Sequence, residues 1–104
     1  MFILHIEHAV PDFASWKRTF DADPAGRQAA GVRRFRVLRP VDDANFAVVD
    51  LEFGERAGAE AMLERLRRLW GRVEGTLISG PRGRILEVVE HAELEGARAA
   101  TSGG

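Results

Sequence analysis

The sequence has no cysteine and no tyrosine, a single lysine, Lys17, and a single asparagine, Asn45. Without cysteine there is no disulfide, no thiolate metal site and no cysteine nucleophile, and a reducing compartment suits the chain. Charge of one sign is also missing. A formal net charge of −1 lacks the excess that draws a protein to phosphate backbones or anionic membranes, so nucleic acid is not an expected partner. Long apolar runs are absent too. Met1 to Ile6 is apolar, but His5, Glu7 and His8 interrupt it before it could form a signal core or a membrane span. No membrane association is expected, and the cytoplasm is the expected location.

What is present fits one domain. At 104 residues, with 45% hydrophobic and 30% charged residues, the chain has the balance of a globular protein with room for a single core. Nearly all its positive charge is arginine, which reads either as codon usage or as a means of bidentate anion binding.

The hydrophobic pattern gives an element order. Phe2, Leu4 and Ile6 alternate with Ile3, His5 and Glu7 as a first strand. Asp12 is a helix N-cap, and Phe13, Trp16, Lys17 and Phe20 at helical spacing predict a first helix to about Ala22. Residues 23–31, with a proline, two glycines and three alanines, form an irregular connection that could act as a lid. Val32–Val41 and Phe46–Phe53 predict a hairpin around the turn 42–45. Ala59, Met62, Leu63, Leu66, Leu69, Trp70 and Val73 make the apolar stripe of a second helix, about Glu55 to Arg72. The glycine-rich stretch 75–83 reads as a loop, and Gly80-Pro81-Arg82-Gly83 as a turn. That tetrapeptide lacks the lysine and the serine or threonine of a phosphate loop. Arg84 to His91, apolar enough for a central position, is the fourth strand. Residues 1–91 are thus expected to form the domain, and 92–104 a tail too poor in apolar residues to order itself.

The order β-α-β-β-α-β predicts an α+β, ferredoxin-like βαββαβ fold, with two helices on one face of a four-stranded antiparallel sheet. In the third strand Ala47, Val49, Leu51 and Phe53 face the helices, which sends Phe46, Val48, Asp50 and Glu52 to the open face. By the same alternation Ile3, His5, Glu7, Arg34, Arg36, Leu38 and Glu87 are expected there. With Ile85 and Val89 they make a mixed apolar and charged patch, suited to sheet-to-sheet homodimerisation with its ion pairs satisfied across the interface.

The segment His8-Ala-Val-Pro-Asp12-Phe-Ala-Ser-Trp16-Lys17-Arg-Thr-Phe20-Asp21, followed by Arg27, Gly31-Val32 and the turn Asp42-Asp43-Ala44-Asn45, resembles a known family. It is similar to the dimeric α+β barrel proteins, the superfamily that includes antibiotic-biosynthesis-monooxygenase-like domains, within a largely uncharacterised subgroup. The resemblance spans most of residues 1–91. It implies a homodimer whose two sheets form a barrel, with any cavity lying between sheet and helices. Members include oxygenases, haem degraders, isomerases and polyketide cyclases, so the fold alone sets no reaction. Oxygenation without a cofactor through Asn, Tyr and Trp lacks its tyrosine in this chain, and Asn45 lies in a turn.

The candidate chemistry is sparse. His8 shares the alternation of Leu4 and Ile6 and should point to the helix layer beside Trp16 or Phe20, as a general base, as a haem ligand, or as a strand-end residue bonded to local backbone. Trp16, Phe20 and Trp70 either line an aromatic pocket or are simply core. His5, Glu7, Asp50, Glu52 and Glu87 have donor types that suit a metal, but their spacing matches no metal motif, and ion pairs with Arg34 and Arg36 account for them. Neither a metal nor a cofactor is called for. Two main readings result: a dimeric barrel binding a small apolar or aromatic metabolite, with monooxygenase-like or cyclase-like activity through His8, and a non-enzymatic dimeric module. Haem binding through His8 is a third.

Overall fold

The computed structural model describes residues 1–23 and 25–94. Its elements are β1 (Phe2–Ala9), α1 (Phe13–Asp21), β2 (Val32–Leu38), β3 (Phe46–Phe53), α2 (Arg56–Val73) and β4 (Ser79–Glu87). The four strands form one antiparallel sheet in the order β2-β3-β1-β4, with both helices packed on one face. This is the expected ferredoxin-like α+β architecture. Among the described residues no helix is long and apolar enough to cross a membrane.

Local chemistry sets the helix ends. Asp12 is extended and accepts from the Ala14 N–H at 3.2 Å and from the Ser15 hydroxyl at 2.6 Å, which caps α1. After Ala22 the chain turns through Asp23, whose φ of 56° lies in the left-handed region that aspartate tolerates better than most residues. In α2 the buried stripe is Ala59, Met62, Leu63, Leu66 and Trp70. It packs on Leu4, Ile6, Val49, Leu51 and Phe53 of the sheet to make the core.

Three sequence expectations need correction. First, β2 ends at Leu38, not Val41. Pro40 has no N–H to give the ladder, and its carbonyl instead accepts from Asp43 N at 3.2 Å in the connecting turn. Second, β4 begins at Ser79, so Gly80-Pro81-Arg82-Gly83 lies within a strand, not a turn. That strand is an edge, not central, and an edge is where proline is tolerated. Gly83 is there for close packing. A Cβ at this position would come within 2.7 Å of Leu63 Cδ1 and 3.1 Å of Trp70 Cη2, so α2 rests directly on the β4 backbone. Third, register places Glu87 opposite Phe2 and Ile85 opposite Leu4, in the rows that carry the helix face, while Ile3, His5 and Glu7 pair with Leu86, Arg84 and Arg82. The open face therefore gains Arg82, Arg84 and Leu86, and Glu87 and Ile85 leave it. Of the expected tail 92–104, residues 95–104 lie outside the described residues.

Candidate functional site

Two regions collect the chemistry-bearing side chains. The first is a cavity of about 90 Å³ between sheet and helices, lined by His8, Trp16, Phe20 and Trp70 together with aliphatic residues such as Val49, Leu66 and Ile78. All four side chains singled out from the sequence for this layer meet around that one space.

His8 comes from the end of β1, where alternation sends it inward. It is 3% exposed, the one polar side chain fully buried among the described residues. Its β3 neighbour is Ala47, whose small side chain leaves room for the imidazole. On the β4 side the register slips between Glu7 and Ala9, leaving an extra residue around Gly80 and Pro81 opposite His8. Gly80 has φ +61°, as a bulge of this kind requires. The imidazole meets Trp16 edge-on at 5.5 Å between centroids, and Trp16 stacks on Phe20 at 5.3 Å. Nδ1 lies 3.3 Å from the Ala9 carbonyl. A carbonyl can only accept, so Nδ1 carries the proton and Nε2 the lone pair. Burial lowers the His8 pKa below the ordinary histidine value, and the contact with the Ala9 carbonyl offsets this only in part. His8 is thus held as a neutral imidazole with a free basic nitrogen.

The second region is the open sheet face. His5 Nδ1 lies 2.7 Å from Asp50 Oδ1, Arg36 donates to Asp50 Oδ2 at 2.9 Å, and Arg34 Nε lies 3.3 Å from Glu52. The ion pairs expected across an interface are instead made within one chain. No group of three or more His, Asp and Glu residues poised for a metal occurs among the described residues. Phe46 and Val48 are half-buried on this face, and Leu38 and Leu86 are exposed.

Sequence reasoning missed parts of the cavity. Thr19, Ala25, Arg27, Leu77 and Ile78 also line it. Ile78 is 2% exposed, and the Leu77-Ile78 pair inside a glycine-rich stretch was the available signal that this segment reaches the core.

No family model matches the chain, and no curated protein does. Solved structures do. The chain is similar to a point mutant of SnoaB, a cofactor-independent oxygenase from Streptomyces nogalater, with 17% identity over 86% of this chain and 94% of that one and a TM-score of 0.66. A mutant of MhuD with two manganese protoporphyrin IX bound per active site gives 19% identity, 89% and 99% coverage, and a TM-score of 0.63. A dimeric ferredoxin-like protein from an uncultured marine organism gives 15%, 88% and 97%, and 0.60. At these identities the shared property is the fold, along nearly its whole length.

Proposed function

We propose that this chain is a cytoplasmic member of the dimeric α+β barrel superfamily, related to the antibiotic-biosynthesis-monooxygenase-like domains, that holds a small apolar or aromatic molecule between sheet and helices. The observation that carries this reading is the cavity, where one neutral imidazole faces two tryptophans and a phenylalanine in a lining whose other polar residues are Thr19 and Arg27. Such a site binds by burying apolar surface and orients its ligand with few polar groups. A volume of about 90 Å³ suits a molecule of one ring at most. In this reading His8 accepts a proton from an acidic C–H or O–H of the ligand through Nε2, the first step that a monooxygenase-like or a cyclase-like reaction would share. The similarity to SnoaB supports this by analogy of fold.

The test has two stages. Both tryptophans of the chain line the cavity, so phenylacetone should quench their fluorescence saturably. Proton abstraction is then read as deuterium uptake from D₂O at the carbon next to its carbonyl. A general base of this kind gives roughly 10²–10⁴-fold acceleration. The acceleration should vanish in His8→Ala while quenching persists. Quenching without acceleration in the wild type would remove the catalytic role and leave binding.

The non-enzymatic module is the second reading, favoured by the small volume of the cavity and by Trp16 being only 5% exposed. Absence of any saturable quenching would select it. Haem fits poorly. A porphyrin is several times larger than the space His8 faces, despite the porphyrin in the similar MhuD structure. A hemin titration without a shifted Soret band is the expected result.

A further inference from the structure

We propose that Arg27 makes this cavity selective for a single-ring monocarboxylate, the ring lying among the aromatic side chains and the carboxylate meeting the guanidinium. The proposal rests on the ligand-binding reading above and names the class of ligand.

Arg27 is the one charged residue in the lining, which contains no aspartate or glutamate among the described residues. The remaining polar groups are His8, already argued to be neutral, and Thr19. An anion entering this space therefore meets one cation, and no carboxylate lines the wall among the described residues. The surroundings are apolar, which strengthens the attraction relative to water. The guanidinium is also held in place. It lies over the Phe20 ring at 3.9 Å and over Phe35 at 4.8 Å, so two aromatic rings hold it in place. Its Nη1 donates to the Phe20 carbonyl at 2.7 Å and lies 3.3 Å from Asp23 Oδ1.

Asp23 pairs with Nη1 from outside the cavity lining. Its carboxylate is turned to the Arg27 main-chain N–H, which it accepts at 2.9 and 3.1 Å, and it is absent from the cavity lining. Nε and Nη2 make no hydrogen bond to a described residue, and they form the edge of the fork that matches a carboxylate. The side chain is 15% exposed, so it has already lost most of its water, and a bound anion replaces little hydration. Because these contacts hold the side chain in advance, little ordering remains to be done on binding.

The experiment compares benzoate with benzamide, which share a ring and a shape and differ in charge, by calorimetric titration of the full chain at neutral pH. A charge-assisted pair predicts benzoate binding at least about tenfold tighter. Arg27→Gln should bring the benzoate and benzamide affinities together, with the ratio in Arg27→Lys between that of Arg27→Gln and the wild type. The indole N–H resonances of Trp16 and Trp70 should shift with either ligand, which places both in the cavity. Equal affinity of the two ligands in the wild type overturns the proposal and leaves the ligand-binding reading standing. A preference that survives Arg27→Gln overturns it as well, since another cation would be responsible. Binding of neither ligand sinks both. Should Arg27→Gln not fold, the Arg27 Nε–H resonance of the wild type decides: a shift with benzoate alone supports the proposal, and no shift ends it.

Discussion

His8 is the residue on which sequence and structure converge most closely. Strict alternation along Leu4, Ile6 and His8 is enough to send it to the helix layer, and α1 begins soon enough afterwards to put Trp16 over it. Its neutral state has a consequence that stability measurements can read. The folded-state pKa is depressed, so as pH falls below the ordinary value of about 6.5 the unfolded chain takes up a proton that the folded chain resists. The stability owed to neutral His8 is therefore complete above that value and is lost as pH drops through the folded pKa. Urea denaturation between pH 7.5 and 5 should show a steeper fall in the wild type than in His8→Gln. Equal slopes would mean that His8 titrates alike in both states. Arg27, by contrast, is legible in the sequence only as part of a motif. Nothing in its spacing says that two phenylalanines from α1 and β2 will close on it, because Phe35 joins Phe20 only once the sheet has formed.

Among the elements, β1, α1, β3 and α2 are readable because each has a mainly apolar side at a single period, and in α1 the Asp12 cap agrees with that period. β4 is not, because its first half carries no such pattern. Gly80, Pro81 and Gly83 read as punctuation, yet each has its own task in a strand: a bulge opposite His8, an edge position without an N–H, and a seat for Leu63 and Trp70. In its second half Ile85 and Leu86 are both apolar, so pattern alone leaves the alternation open, and the pairing with β1 is what puts Ile85 and Glu87 in the rows of the helix face. The bulge can be tested by itself. A side chain added at Gly80 meets no heavy atom within 4 Å, so any cost is one of backbone conformation at φ +61°. Gly80→Ala should lower unfolding free energy by roughly 1–2 kcal/mol, with Gly80→Asn losing less. Chemical denaturation of the three proteins checks this, and a neutral Gly80→Ala would show that the bulge carries no strain.

At the scale of the whole molecule, the open face has an order that composition alone conceals. Carboxylates occupy its two inner strands, Glu7 on β1 and Asp50 and Glu52 on β3, and arginines its two outer ones, Arg34 and Arg36 on β2 and Arg82 and Arg84 on β4. With Asp50 and Glu52 already paired to Arg36 and Arg34 within the chain, a two-fold contact on this face can bury Phe46 and Val48 of the inner strand β3 without leaving those carboxylates unpaired. We expect the wild type to sediment as a dimer and Val48→Arg to sediment as a monomer at the same concentration. A wild type that sediments as a monomer would remove the sheet-to-sheet association from the proposed function.

The outer strands carry a further implication. β2 and β4 each leave one side of their backbone unpaired, an invitation for another chain to add itself as a fifth strand. Each of these rims is interrupted by a register slip, β4 has Pro81, and both bear arginines that would repel their like in a neighbouring copy. Growth by continuous strand addition is thereby discouraged at both ends of the sheet. If copies associate through the broad face instead, a two-fold contact there closes on itself, and a concentrated solution should hold discrete particles and resist extension into fibres.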